Sequence, residues 1–122
     1  MTTRRKRVLN ALAHAESDQV PRDLGGTESS GMTARALHNL QRHQGASEPL
    51  RIFEPYQYVA TIPVSLRKTF RIDTVNLTRE PRQWVESTHA NGLPVRIPQK
   101  WREQAEADGT VVVRGSDGEV VA

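Results

Sequence analysis

Apolar residues are spaced at a helical period near the start of the chain, lose that period after the middle, and end in two β-branched runs. Val8, Leu9 and Leu12 fall at i, i+1 and i+4, which predicts one amphipathic helix over 4–15, with Thr2 or Thr3 as its N-cap. Ser17, Asp18 and Pro21 close it, and 19–24 should be extended because a residue before proline is pushed out of the helical region. The seven small or polar residues at 25–31 read as a loop. Leu37 and Leu40, with Ala34 and Ala36 between them, predict a second helix over 33–43, capped by Ser30 and stopped at Gly45. Residues 48–55, which contain Pro49 and end on Pro55, should be extended, and a short helix over 63–70 should start on Pro63, whose fixed φ suits a first turn.

Residues 72–77 alternate apolar and polar and predict a strand. Beyond Leu77, Pro81, Pro94, Pro98 and Asn91-Gly92 punctuate short pieces with no helical period, a β-rich stretch over 78–122. Its last piece, 110–121, is a hairpin candidate, two β-branched runs flanking Gly-Ser-Asp-Gly. A hairpin this apolar is marginal alone and wants a partner surface.

Composition changes this picture in two ways. Only 36% of the 122 residues are hydrophobic and 5% aromatic, a thin core for a self-contained domain of this length. The net charge of +3 is uneven: residues 1–71 hold 11 Lys/Arg against 6 Asp/Glu, whereas 72–122 hold 6 against 8. Much of the excess is Arg4-Arg5-Lys6-Arg7, which reads as the solvated first turn of a helix or, alternatively, as a small basic nucleic-acid-binding module. No run approaches the ~20 apolar residues of a membrane helix and no secretory core follows the basic cluster, so a cytoplasmic setting is expected. With no cysteine, disulfides, thiolate metal sites and cysteine nucleophiles are excluded within this chain.

Candidate chemistry is sparse. His38 and His43, five apart on one helix, point roughly 140° apart and cannot share a metal as an i, i+4 pair would. His14 and His89 have no ligand partner at recognisable spacing, so no metal site is expected here. Gly25-Gly26 lacks the third glycine and the lysine of a phosphate loop. As a turn leading from an extended segment to a helix, however, it groups Asp23, Thr27, Glu28, Ser29 and Ser30, the best-placed polar cluster, with capping of the loop's own amides an equal role for Asp23. Residues 79–84 form a second such loop, and Trp84 and Trp101 read as packing residues or, alternatively, as rings that stack on a ligand.

The opening stretch, RRKRVLNALAHAESDQVPRDLGG at 4–26, resembles the start of the uroporphyrinogen decarboxylase superfamily, a helix of the form R-x-R-V-L-x-A-L-x-H-x-x-P-D-x-V-P followed by the first barrel strand. Arg7-Val8-Leu9, Ala11-Leu12, His14, Asp18 and Val20-Pro21 match it, and Ser17 stands where proline is usual. DLGGTESSGM at 23–32, RIFEPYQYVA at 51–60 and NLTREPRQW at 76–84 are similar to the divergent branch that contains corrinoid-dependent methyltransferases, so the resemblance spans essentially the whole chain. It implies an α/β fold that is the N-terminal portion of a TIM (β/α)₈ barrel. The first two strands, near 20–24 and 72–77, and the N-terminal helices would be present, with a β-hairpin at the C-terminal end. Since such a barrel needs about 250 residues, the chain is expected to be one partial domain over 1–122, a fragment not catalytically competent alone.

Decarboxylases of the family carry an R-Q-A-G-R segment just after the first strand, and its arginines grip substrate carboxylates. Here Gly26-Thr27-Glu28-Ser29-Ser30 stands in that place, and Glu28 would repel a polycarboxylate. The substrate-binding rim implied for this piece is Asp23, Gly25, Gly26, Thr27, Glu28, Ser29 and Ser30, joined by Asp73 and Asn76 of the second strand. No catalytic residue is assigned. For the full-length parent the resemblance implies a small-molecule substrate, the remainder of the barrel as structural partner, and zinc with a corrinoid partner in the methyltransferase branch. Neither cofactor is expected to be held by this chain.

Overall fold

The computed structural model describes residues 2–121. It is a mixed α/β chain of short helices and small antiparallel sheets, in the order α1 (Arg4–Leu12), β1 (Met32–Thr33), α2 (Ala34–His43), β2 (Ile52–Glu54), β3 (Val59–Ala60), α3 (Val64–Thr69), β4 (Trp84–His89), β5 (Leu93–Pro98), β6 (Arg102–Ala105) and β7 (Val111–Arg114). The chain divides into two compact units, Met1–Met32 with Ile62–Thr78, and Thr33–Thr61 with Arg79–Ala122.

In the first unit, Thr3 caps α1, its hydroxyl accepting from the Lys6 N–H at 3.2 Å. The helix ends at Leu12, three residues before the predicted boundary, because His14 turns left-handed at φ 54 and the Ala15 and His14 amides donate back to the carbonyls of Asn10 and Ala11. These paired bonds saturate carbonyls that a helix end leaves open. Arg71, at φ 52, ends α3 in the same way, with Ile72 and Arg71 donating to Arg67 and Lys68. Pro63 precedes that helix as its N-cap rather than opening it.

Ile62, Leu66 and Ile72 form the buried apolar cluster of this unit. The predicted stripe of α1 is not part of it: Leu9 is 46% and Leu12 74% exposed, while the buried residue of the helix is Arg7. The segments predicted as barrel strands, 20–24 and 72–77, are extended but join no ladder. A single backbone bond connects them, from the Asp73 N–H to the Arg22 carbonyl at 2.8 Å, since Pro21 has no N–H and the Arg22 N–H is taken by the Asp73 carboxylate. The described residues therefore form no closed barrel.

In the second unit, α2 starts one residue after its predicted boundary. Its cap is Thr33, which accepts the Ala36 N–H at 3.3 Å, and not Ser30. The helix stops at Gly45 with the same paired bonds, Ala46 to Gln41 and Gly45 to Arg42. One sheet has the order β1-β3-β2, and β4–β5 and β6–β7 are two-stranded ribbons. Alternation places Leu93, Val95 and Ile97 of β5 in the core with Leu37, Leu50, Ile52, Val59 and Ala60. The Arg96 N–H donates to the Leu50 carbonyl at 2.7 Å, tying β5 to the chain before β2.

The C-terminal hairpin differs from expectation. The strand partner of β7 is β6, across a turn at Asp108-Gly109, in register from Arg102↔Arg114 to Ala105↔Val111. The predicted turn at 115–118 forms as well: the Gly118 N–H donates to the Gly115 carbonyl, and bonds from the Gly115 N–H to the Glu119 carbonyl and from the Val121 N–H to the Val113 carbonyl flank an Arg114↔Val120 bridge. Among the described residues no helix is long and apolar enough to cross a membrane.

Candidate functional site

The loop after the first extended segment is closed by its own polar groups. Asp23 accepts the Gly26 N–H at 3.0 Å and the hydroxyl of Thr74 on the same carboxylate oxygen. Thr27 and Ser30 exchange amide-to-hydroxyl bonds at 3.1 and 3.3 Å, and the Gly25 N–H donates to the Ser30 carbonyl at 2.8 Å. Burial pushes the Asp23 carboxyl up, but hydrogen bonds from Thr74, Ser30 and the Gly26 amide outweigh it and hold the group below its ordinary value. Both glycines are required sterically. At Gly25, with φ +75, a Cβ would lie 2.6 Å from Ile62 Cγ1, and at Gly26 it would lie 2.5 Å from Asp23 Oδ1. Glu28 and Ser29 are left exposed at the tip.

The contacts Arg22–Asp73 and Asp23–Thr74 tie the two segments together. Arg7 of α1 bolts them. Its guanidinium grips Asp18 through both carboxylate oxygens at 2.9 Å and also donates to Asp73, whose side chain is fully buried. Hydrogen bonding from Arg7 outweighs partial burial and holds the Asp18 carboxyl below its ordinary range. Arg7 is thereby withdrawn from the basic cluster, leaving Arg4, Arg5 and Lys6 exposed on the first turn.

Of the residues named from sequence, Asp23, Gly25, Gly26, Thr27 and Ser30 come together with Thr74, which sequence reasoning did not name. Asp73 serves Arg7 and the Arg22 amide, and Asn76 closes a local turn by accepting the Thr78 N–H at 2.7 Å. Among the described residues no three His, Cys, Asp or Glu side chains converge as metal ligands. Trp84 and Trp101 are half-buried, with the Arg51 guanidinium 5.8 Å from the Trp84 ring centre.

The second unit carries a constellation that spacing did not reveal. A cavity of about 430 Å³ is lined by Pro55, Tyr58, Thr88, His89, Glu103, Val111 and Val113. The hydroxyls of Tyr58 and Ser87 each donate to a different oxygen of Glu103 at 2.6 Å. The Tyr58 and His89 rings stack with centroids 4.0 Å apart. Tyr58 is positioned by the β2–β3 turn, where Glu54 caps the Tyr56 and Gln57 amides and Tyr58 itself is left-handed at φ 57. The side chains that meet come from distant parts of the chain, Tyr58 and Glu103 lying 45 positions apart. The Asn91-Gly92 turn that brings β4 back on β5 and the Asp-Gly turn of β6–β7 were the available sequence signals.

Compared with known protein families, curated proteins and solved structures, the chain matches none.

Proposed function

We propose that the chain is the N-terminal part of a uroporphyrinogen decarboxylase-superfamily barrel enzyme, decarboxylase-like or corrinoid-dependent methyltransferase-like, and is not catalytically competent alone. The observation that supports this most is the contact of 22–23 with 73–74, which joins the two segments that the resemblance reads as the first strands of such a barrel. The motif residues Arg7 and Asp18 meet each other there, together with Asp73, which gives a physical reason for their spacing: one guanidinium anchors the opening helix to both segments.

In this reading the loop 23–30 belongs to the substrate rim at the carboxyl end of the first strand. Asp23 is a positioning residue that holds the Gly26 amide and Thr74, while Glu28 and Ser29 face outward. An outward carboxylate with no arginine beside it in the loop suits a neutral or cationic small molecule better than a polycarboxylate. The residues of this chain do not fit the zinc of the methyltransferase branch. Cysteine is absent, and no set of three ligands converges among the described residues.

Reading the intact genomic sequence beyond codon 122 tests the proposal directly. Continuation into further strand–helix repeats is expected, with His-x-Cys and a distant Cys if the parent transfers methyl groups. An immediate in-frame stop, with no continuation downstream, would overturn it.

A further inference from the structure

We propose that the cavity formed by the β2–β3 turn, β4, β6 and β7 is a binding site for a small organic amine, with Glu103 as the counter-ion of its ammonium group. The inference is independent of the barrel reading, since every residue involved belongs to the second unit.

The argument begins with Glu103. Two hydroxyl donors at 2.6 Å are the short contacts of an ionised acceptor. A carboxylate offers about four lone-pair sites, so Tyr58 and Ser87 leave roughly half of them for another donor. None of the ion pairs between described residues includes Glu103. A half-buried carboxylate held by neutral hydroxyls and belonging to none of these ion pairs is placed to take an ammonium from outside.

The surroundings select the kind of cation. Pro55, Val111 and Val113 supply an apolar wall, and a volume of about 430 Å³ lies in the range of small-molecule pockets. A metal ion would need several further ligands, and no such group converges among the described residues. An ammonium with a hydrocarbon body satisfies both halves of the site. His89 does not compete as a resident cation, because burial and the charge of Arg35 hold its imidazole below the ordinary value, against the pull of Glu103. The Tyr58 hydroxyl is pushed up by burial and by Glu103, which keeps it a donor. The left-handed backbone at Tyr58 fits a site in which ring and hydroxyl placement outweighs local strain.

The test is a titration of the full chain with benzylamine, followed by amide chemical shifts, with benzyl alcohol as the neutral isostere and benzoate as the anion. Saturable shifts confined to the residues lining the cavity are expected for benzylamine, with binding of benzyl alcohol at least about tenfold weaker and none of benzoate. Glu103→Gln should weaken benzylamine about tenfold and leave benzyl alcohol unchanged. Equal affinity for amine and alcohol, shifts elsewhere, or no saturable shift with any probe overturns the proposal. If Glu103→Gln does not fold, Val111→Trp decides: Val111 is 60% exposed on the wall, so the larger ring fits without disturbing the core and fills the cavity. Loss of benzylamine binding in that variant is expected, and unchanged binding overturns the assignment.

Discussion

Asp23 shows how one carboxylate determines the geometry of a loop. It holds the Gly26 amide and the Thr74 hydroxyl, and its carboxylate oxygen is the nearest atom that a Cβ at Gly26 would meet. The same contacts set an acid dependence. Asp23 and Asp18 both titrate below their ordinary value of 3.8 in the folded chain. The unfolded chain therefore takes up protons first as pH falls, and the stabilisation, complete above about pH 5, is lost as pH drops through the folded values. The thermal midpoint of the chain should be flat above about pH 5 and fall toward pH 2. Asp23→Asn should start lower and fall less steeply over the same range, as measured by circular dichroism. Asp23 was legible from sequence as a loop-capping aspartate because such bonds are local. Thr74, its partner 51 positions away, was not.

At the scale of elements, α1 was legible in place but not in role. The i, i+1, i+4 pattern located the helix, yet Leu9 and Leu12 face solvent and an ion pair does the anchoring. A hydrophobic stripe marks the side a helix can bury, whereas burial depends on what chain is there to cover it. Leu12→Lys should therefore change stability by less than about 0.5 kcal/mol. Asp73→Asn should cost clearly more than Leu12→Lys, since it takes away one of the two carboxylates that hold the Arg7 guanidinium. Denaturant midpoints of the two variants distinguish these roles, and the reverse ranking would sink the account. The C-terminal hairpin was legible in its turn but not in its main partner. Two Asp-Gly turns, 108–109 and 117–118, flank the Val111–Arg114 strand; the four-pair ladder forms with β6, while the second turn brings the chain back for the Arg114↔Val120 bridge and its flanking bonds.

For the molecule as a whole, two compact units replace the single thin core suggested by composition. Ile52 is fully buried in the second unit, next to the Arg51↔Arg96 bridge that joins the residue before β2 to β5. Ile52→Ala should destabilise that unit by about 3 kcal/mol, seen as faster amide exchange across β4 and β5. Unchanged protection there would contradict a shared core. The sequence by itself determined the helices to within a few residues, the Gly-Gly loop and its aspartate, and the absence of thiol chemistry. Each follows from neighbours in the chain, where caps, φ preferences and periodicity act within a turn or two. Only tertiary structure decided that Arg7 joins Asp18 to Asp73, that 22–23 meet 73–74, and that Tyr58, His89 and Glu103 share a cavity. Those contacts bring together residues up to 66 positions apart, and no local propensity encodes which distant partner a charged or aromatic group will meet.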